Sequence, residues 1–262
     1  MAGPAEIPNL TLSAGLMEQL WFSVLRIEND DNGERATALV FDVREEASIP
    51  FLLLLVNKHF CFKGNQLVKL FYVDNEGKLL LVHQFRKVEV KVFKDGGGLD
   101  FIIYRVNLSE EWSMQEPGRA QREVVTETKR AKRAAAPEPV KRATIICKTP
   151  PYTYEMQRSM NVRIMGFPAA VTDARFQVDT TIASIQRDSF CVTTLSAPGL
   201  SGGAVVATRM GQIVGVVGGA MDASEGRETK RFVAYAIPAH SLPKRPSSQP
   251  SSPEARAAAK PG

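Results

Sequence analysis

The feature that most constrains the fold of this 262-residue chain is a long succession of short apolar runs separated by turn-forming residues. Between residues 21 and 106 the runs have the Val, Ile, Leu and Phe content typical of β-strands: WFSVLRI, ATALVFDV, FLLLLVNKHF, LVKLFYV, KLLLVHQF, VEVKVF and LDFIIYRV. The turn sequences DDNG, KGN, DNEG and KDGGG lie between them. Helical periodicity is weak, and residues 109–135, which hold good helix formers, have no clear apolar face.

A second series of strand-like runs follows: ATIICK, NVRIMGFP, FQVDTTIASIQ, SFCVTTLS, GAVVATRMGQIVGVVGG and RFVAYAIP. Two blocks of similar size, joined by a polar and basic connector, predict an all-β protein with two antiparallel β-barrels. We therefore expect five parts: an N-terminal arm (1–19), a first barrel (20–108), a charged linker (109–143), a second barrel (144–241) and a disordered tail (242–262).

The stretch APGLSGGAVV places Ser201 among Gly199, Gly202 and Gly203, directly before an apolar run. Glycines occur where the backbone takes a positive φ or comes close to another group. Such a turn can expose a hydroxyl beside free backbone N–H groups. A tight turn before a buried strand uses the same residues, so a catalytic interpretation needs partners elsewhere in the chain.

A serine hydroxyl becomes a good nucleophile when a base, usually a histidine held by a carboxylate, takes its proton. His59 ends an apolar strand at a point where the chain can leave the sheet, whereas His83 lies within a strand and His240 follows the last one. Asp100 introduces the last run of the first block and can orient an imidazole in a shielded cleft. Asp95 belongs to the neighbouring glycine-rich turn. His59 and Asp100 are the stronger candidates.

In the order histidine, aspartate, serine, the segments LLVNKHF, GLDFIIYRV and APGLSGGAVV resemble those of trypsin-like serine peptidases, the chymotrypsin-fold superfamily. The resemblance covers about residues 20–241 and is to intracellular, disulfide-free members similar to HtrA protease domains. NVRIMGFP and FVAYAIP look like the first and last strands of their second barrel. The resemblance implies two antiparallel six-stranded barrels with the active site between them. It also implies a serine endopeptidase that forms an acyl-enzyme without a metal or organic cofactor.

By this resemblance, His59 is the general base, Asp100 orients it and Ser201 is the nucleophile of a catalytic triad. The backbone N–H groups of Gly199 and Ser201 would form the oxyanion hole, which stabilises the negative charge that develops on the attacked carbonyl. The resemblance thus implies that the glycines around the serine shape the oxyanion hole.

The same resemblance locates the pocket for P1, the substrate residue whose carbonyl is attacked. Leu195 stands six residues before the serine, at the base of the family's pocket, where an acid would select Lys or Arg. Gly218, Gly219 and Ala220 would line the pocket and pair with an extended substrate. We therefore expect an uncharged, apolar or small P1 side chain; Asp222 would overturn this if it entered the pocket.

Two departures from the family pattern are visible. Ala36-Thr37-Ala38 stands where the family usually has Gly-Ser/Thr-Gly, which predicts a less tight approach of the strands. Lys58 and Phe60 flank the histidine, where a small residue or asparagine and a β-branched residue are usual. The departures leave open a second function, that of a protease-fold module that binds peptides or acts as a scaffold without catalysis.

Another class of enzyme also fits part of the sequence. Residues 199–203 match the G-x-S-x-G nucleophile elbow of α/β-hydrolases, and Asp222 and His240 follow in the order of that fold. The elbow is followed by a helix, however, whereas GAVVATRMGQIVGVVGG has the pattern of a hairpin.

The net charge of +5 is concentrated in residues 128–143 and 242–262. A solvated linker and a loose tail are the interpretation that we favour. Weak contact of the basic run 128–143 with nucleic acid or an acidic partner is the alternative, although no aromatic residue is available there for base stacking.

The remaining expectations concern location and partners. Cys61, Cys147 and Cys191 form no CxxC pair and no metal-ligand cluster with the histidines, as expected for reduced thiols. The N-terminus lacks the pattern of a secretory signal, and the longest apolar stretch, IPFLLLLV, is too short to span a bilayer. We expect an intracellular, cytoplasmic protein that contacts no membrane and acts on a protein or peptide substrate.

Overall fold

The structure is a computed structural model, and it describes residues 14–46, 49–60, 65–108, 149–169, 174–195, 197–222 and 232–244. Nearly all of its regular elements are β-strands. The linker predicted at 109–143, with its basic run 128–143, lies outside the described residues. So do Cys61, Cys147 and the predicted tail beyond residue 244.

The first half of the chain forms one antiparallel sheet of seven strands. In chain order they are β1 (Val24–Asn29), β2 (Arg35–Glu46), β3 (Ile49–Val56), β4 (Leu67–Val73), β5 (Leu79–Arg86), β6 (Lys91–Asp95) and β7 (Ile102–Asn107). Their spatial order is β5-β4-β1-β2-β3-β7-β6. The two edge strands, β5 and β6, are joined only by a 3₁₀ turn at Lys87–Glu89. Because so short a connection links opposite edges, the sheet must curl towards a barrel.

The second half forms a closed barrel of six antiparallel strands in the order β10-β13-β12-β11-β8-β9. The strands are β8 (Asn161–Gly166), β9 (Phe176–Ile185), β10 (Phe190–Leu195), β11 (Ala204–Ala207), β12 (Gln212–Asp222) and β13 (Phe232–Pro238). A 3₁₀ turn at Ala239–Ser241 follows the last strand. Closure pairs both edges of the sheet, so every strand of this barrel has two neighbours.

The predicted all-β, two-barrel fold is confirmed, but the first half contains seven strands and not six. The seven apolar runs of the first block correspond to seven strands, whereas the number six came from the family resemblance. Among the seven, the short edge strand β6 has five residues that are all exposed. The described chain also begins with a helix, α1 (Ala14–Trp21), that the sequence analysis did not anticipate. Among the described residues, no helix is both long enough and apolar enough to cross a membrane.

Three apolar clusters fill the interior, and one of them joins the two halves of the chain. This joint cluster contains Trp21 from α1, Leu39 and Leu53 from the first sheet, and Met165 and Phe167 from the second half. The Trp21 and Phe167 rings have their centroids 5.7 Å apart. Each of the other clusters lies within one half. Burial of shared apolar surface therefore holds the two halves and the helix together.

A charged contact attaches α1 to both halves. Arg175, just before β9, donates from Nη1 and Nη2 to the carboxylate of Glu18 at 2.6 and 2.9 Å. Its Nε donates to the carbonyl of Val73 at 2.6 Å, and Nη2 also donates to the Tyr72 hydroxyl. The guanidinium lies over the Trp21 ring, 5.1 Å from the centroid. One arginine thus connects the helix, the first sheet and the start of the second barrel.

Candidate active site

The loop that carries Ser201 connects β10 to β11, and its glycines are required by the backbone. Gly199 and Gly202 have φ values of +89° and +87°, a conformation that L side chains rarely adopt. A Cβ on Gly199 would lie 2.5 Å from the backbone nitrogen of Ala169, and a Cβ on Gly202 would lie 2.0 Å from the carbonyl oxygen of Thr37. The loop is therefore packed against backbone from both halves of the chain.

In residues 199–203 of this loop, the hydrogen bonds leave two N–H groups available. Leu200 donates to the Ala197 carbonyl at 3.1 Å, while Gly202 and Gly203 donate 2.8 Å bonds to other carbonyls. Among the described residues, the N–H groups of Gly199 and Ser201 have no acceptor. These are the two donors that the sequence analysis expected to form the oxyanion hole.

Thr37 on β2 holds the loop against the first sheet. Its Oγ1 donates to the carbonyl of Gly199 at 2.8 Å and accepts a bond from the N–H of Phe167 at 2.9 Å. Its own N–H donates to the carbonyl of Ser201 at 3.1 Å. Thr37, the middle residue of Ala36-Thr37-Ala38, thus makes close hydrogen bonds both to the serine loop and to the chain after β8.

His59 and Asp100 are brought together by the pairing of β3 with β7. Val56, the last residue of β3, is opposite Ile102, the first residue of β7, so the segments just beyond them are neighbours. His59 Nδ1 lies 2.6 Å from Asp100 Oδ2, and the His59 N–H donates to Oδ1 at 3.2 Å. The imidazole is 52% exposed and the carboxylate 25% exposed. A substrate could therefore reach the ring, while the carboxylate is better shielded.

Asn57 is a site residue that the sequence analysis missed. Its Nδ2 donates to the backbone carbonyl of Asp100 at 2.9 Å, to Asp100 Oδ2 at 3.2 Å and to the carbonyl of Gly218 at 3.2 Å. The residue is 1% exposed. One buried amide therefore ties the histidine–aspartate pair to β12 of the second barrel. In the sequence, its position two residues before His59, at the end of an apolar run, could have indicated that Asn57 belongs to the site.

Ser201 is half-buried, and among the described residues its Oγ makes no hydrogen bond, to His59 or to any other group. The serine loop and the histidine turn are nevertheless neighbours. A Cβ on Gly202 would lie 3.3 Å from Asn57 Oδ1. The structure thus joins His59 to Asp100 directly and places the serine loop beside the turn that carries the histidine.

The other histidines and the other aspartate considered for the triad do not contact the His59–Asp100 pair. Asp95 forms an ion pair with Lys58, with 2.5 Å between Oδ1 and Nζ, and not with His59. His83 lies on β5 beside Phe85, and their ring centroids are 6.2 Å apart. His240 is exposed, 3.2 Å from the carbonyl of Arg187. The α/β-hydrolase alternative is wrong, because the serine loop leads into β11 and not into a helix.

The predicted pocket residues lie at the end of β10 and along β12. Leu195 ends β10, and its side chain, like that of Asp222, lies outside the description. Gly218, Gly219 and Ala220 are consecutive in β12. The ring of Tyr235 on β13 covers the first two of these residues, which the sequence analysis did not anticipate.

Comparisons with known proteins bear on the fold. No protein-family model matches the sequence, and no curated protein matches it. The crystal structure of Rv3671c from Mycobacterium tuberculosis H37Rv, a serine-to-alanine mutant in an inactive form, superposes with a TM-score of 0.51 at 14% identity, covering 92% of this chain and 91% of that one. The chain has a trypsin-like serine protease fold. A serine endoprotease from Yersinia pestis has a TM-score of 0.48 at 14% identity and covers 89% of this chain and 64% of its own.

Within a trypsin-like serine protease fold, the serine loop, the His59–Asp100 pair and the glycine segment of β12 lie where the two halves of the chain meet. Structural similarity at 14% sequence identity establishes the fold and not the activity, because one fold supports many functions. The chemistry of the site has to be argued from its own residues.

Proposed function

We propose that the protein is a serine endopeptidase that hydrolyses peptide bonds through His59, Asp100 and Ser201. The observation that carries the proposal is the 2.6 Å hydrogen bond between His59 Nδ1 and Asp100 Oδ2. A carboxylate on Nδ1 selects the tautomer in which Nε2 has a free lone pair. Nε2 can then take a proton from a serine hydroxyl.

In the proposed reaction, Ser201 Oγ attacks the carbonyl carbon of the scissile bond while His59 Nε2 takes the hydroxyl proton. The Gly199 and Ser201 N–H groups donate hydrogen bonds to the oxyanion that forms. The tetrahedral intermediate then collapses, the C–N bond breaks, and His59 gives its proton to the leaving amine. Water releases the acyl group by the same steps, with His59 again acting as the base. Asp100 stabilises the imidazolium and stays ionised.

Available backbone donors support this assignment. Among the described residues, the Gly199 and Ser201 N–H groups have no acceptor, whereas the N–H groups of Leu200, Gly202 and Gly203 beside them donate to carbonyls. Removal of a single oxyanion donor costs about 2.7–4 kcal/mol of transition-state stabilisation in a comparable enzyme. A loop that fixes two such donors by its glycine conformations is expected to contribute strongly to the rate.

The proposed substrate is an extended peptide that pairs with the backbone of Gly218, Gly219 and Ala220. With Leu195 as the residue at the pocket base, an uncharged P1 side chain is expected to bind best. A peptide library with every residue at P1 tests this. A strict preference for Arg or Lys would contradict the proposed pocket and would implicate Asp222.

A second candidate function is a peptide-binding or scaffold module without catalysis. The observation that favours it is the absence, among the described residues, of a hydrogen bond between Ser201 Oγ and His59. In enzymes, however, such bonds are often long before substrate binds and shorten in the complex. The missing bond is therefore compatible with a working triad.

A fluorophosphonate probe distinguishes them. Attack by an activated Ser201 forms an O–P bond and releases fluoride, so the wild type should be labelled while Ser201→Ala is not. In peptide hydrolysis, Ser201→Ala and His59→Ala should each lower kcat by about 10⁶-fold. His240→Ala is the matched control and should behave as the wild type. A folded wild type that does not react with the probe would favour the binding module.

A further inference from the structure

Strand β6 (Lys91–Asp95) leaves one of its two edges open. It lies at the end of the first sheet and pairs with β7 alone among the described strands. All five of its residues are exposed. A strand at the end of a sheet carries N–H and C=O groups along its outer edge that no neighbouring strand uses, and another chain can pair with them.

Exposed apolar side chains are concentrated at this edge. Four large apolar side chains are exposed in the part of the chain that the structure describes, and three of them belong to β6 or to the 3₁₀ turn before it. They are Val88, Val92 and Phe93, with exposed fractions of 71%, 55% and 45%. Single exposed apolar residues are ordinary on a protein surface, whereas a contiguous group of them marks a contact surface.

The charges available at this edge are positive. Lys91 and Lys94 are exposed, and within the described ranges neither ammonium group forms an ion pair or a hydrogen bond. The neighbouring carboxylates are engaged, since Asp95 pairs with Lys58 and Glu89 accepts a bond from a backbone N–H at 2.6 Å. A partner at the edge would therefore meet two lysines whose charge is not neutralised.

The exposed ring of Phe93 also lies in positive surroundings. The guanidinium of Arg44, on β2, lies over this ring at 5.4 Å from its centroid. In the sequence, Lys94 follows the ring directly and Lys91 precedes it by two residues. The apolar and the cationic parts of the surface are thus interleaved and not separate patches.

This charge pattern disfavours a second copy of the chain as the occupant. If the β6 strands of two molecules paired, the lysines of one would lie close to the lysines of the other, and like charges across a strand pair are destabilising. Lysines on edge strands commonly oppose self-association in this way. An acidic strand would instead be attracted by the same two side chains.

We propose that β6 is a docking site for an extended, acidic peptide segment of another protein, which adds a strand to the first sheet. Backbone hydrogen bonds to the open edge supply part of the affinity in this mode of recognition, and the side chains supply the specificity. Carboxylates of the partner pair with Lys91 and Lys94, and its apolar side chains contact Val92 and Phe93. No residue of β6 belongs to the proposed active site, so the docking site does not depend on the proposed peptidase activity.

Fluorescence anisotropy with a labelled peptide of alternating glutamate and valine tests the docking site. The full-length chain carries Ser201→Ala throughout, so that the probe is not cleaved. We expect saturable binding that weakens as the salt concentration rises. A peptide of alternating lysine and valine should not bind. The acidic peptide with every backbone amide N-methylated lacks the N–H donors of a strand and should bind about tenfold more weakly or less.

A matched pair of charge reversals locates the site on β6. The double variant Lys91→Glu/Lys94→Glu should bind the acidic peptide about tenfold more weakly or less and should gain affinity for the lysine–valine peptide. Lys78→Glu/Arg209→Glu changes the net charge equally at exposed positions outside β6 and should lose much less. Circular dichroism checks folding, and Phe93→Ala, which should also weaken binding, is a second test if the double variant does not fold.

Several results would overturn the docking site. The first is a lack of binding to the acidic peptide. Equal affinity of the β6 variant and its control for that peptide would show that only the overall charge matters. Undiminished binding of the N-methylated peptide would exclude strand addition. A dimer in sedimentation velocity that Phe93→Ala converts to a monomer would assign the edge to a second copy of the chain.

Discussion

The hydroxyl of Thr37 donates a 2.8 Å hydrogen bond to the carbonyl of Gly199, a residue 162 positions further along the chain. The same oxygen accepts a bond from the N–H of Phe167, and the Thr37 N–H donates to the carbonyl of Ser201. One fully buried side chain of the first sheet thus fixes the loop that carries the proposed nucleophile. The geometry of the serine depends on a residue in the other half of the molecule.

Thr37→Val should therefore disrupt the loop while keeping the shape of the side chain. The buried N–H of Phe167 and the part-buried carbonyl of Gly199 lose their partner, and leaving a buried polar group unsatisfied costs about 1–3 kcal/mol. Thr37→Ser retains the hydroxyl and should lose less. Urea unfolding measures the stability, and the rate of fluorophosphonate labelling reports the loop. Equal losses in the two variants would contradict the role of the hydroxyl.

Gly202→Ala should destabilise the protein more than an alanine at another glycine of positive φ. Gly33 has a φ of +69° but open space around a Cβ, so Gly33→Ala should lose only the conformational energy of about 1–2 kcal/mol. At Gly202 the added Cβ also meets the Thr37 carbonyl oxygen at 2.0 Å. Chemical denaturation of both variants makes the comparison. A similar loss of stability in both would show that the loop can move away from Thr37.

Asn57→Ala should lower the rate of the proposed reaction because it frees Asp100 to move. The substitution removes the Nδ2 donor from two oxygens of Asp100 and from the carbonyl of Gly218. We expect a loss of about 1–3 kcal/mol in stability and a fall in kcat with little change in KM. The exposed Asn65→Ala is the matched control. A change in stability with an unaltered kcat would leave Asn57 a purely structural residue.

The contact between Glu18 and Arg175 should make stability depend on acidity. Hydrogen bonds from Arg175, with a smaller contribution from Tyr72, hold the pKa of Glu18 below its ordinary value of 4.5, although burial acts in the opposite direction. A carboxyl with a depressed pKa stabilises the fold above its unfolded-state pKa, and this contribution is lost as the pH falls through the folded-state pKa. Glu18→Gln should therefore be less stable than the wild type at pH 7, and the difference should shrink below about pH 4.

Urea midpoints of the two proteins between pH 7 and pH 3 measure this effect. The exposed Glu76→Gln, at a position without such an ion pair among the described residues, is the matched control. If the wild type and Glu18→Gln lose stability in parallel across this range, the ion pair does not contribute to folding in the proposed way.

Much of the fold could be predicted because strand formation is encoded locally. The seven apolar runs of the first block correspond to β1–β7, and GAVVATRMGQIVGVVGG is the hairpin of β11 and β12. Helix α1 was missed because eight residues carry too little periodic pattern. Its position depends on packing of Trp21 against Phe167 and on Arg175, partners that lie far away in the sequence.

Part of the candidate site could also be proposed from the sequence, because its glycine motif and the strand-end positions of His59 and Asp100 are visible there. Asn57 and Tyr235 could not be recognised in the same way. An asparagine at the end of a strand and a tyrosine within one are ordinary residues. Their significance comes from the acceptors around Asn57 and from the glycines beneath Tyr235, which belong to other strands.

The amino-acid order alone determined that the chain is all-β, that it has two blocks, and that a serine stands in a glycine-rich turn. Those properties depend on side-chain alternation and backbone sterics, which act over a few residues. The tertiary structure decided that β3 and β7 are neighbours, so that an imidazole meets a carboxylate, and that Thr37 binds the serine loop. These contacts join residues 41 to 162 positions apart, and only the packing of the sheets and their shared core brings such distant groups within hydrogen-bonding distance.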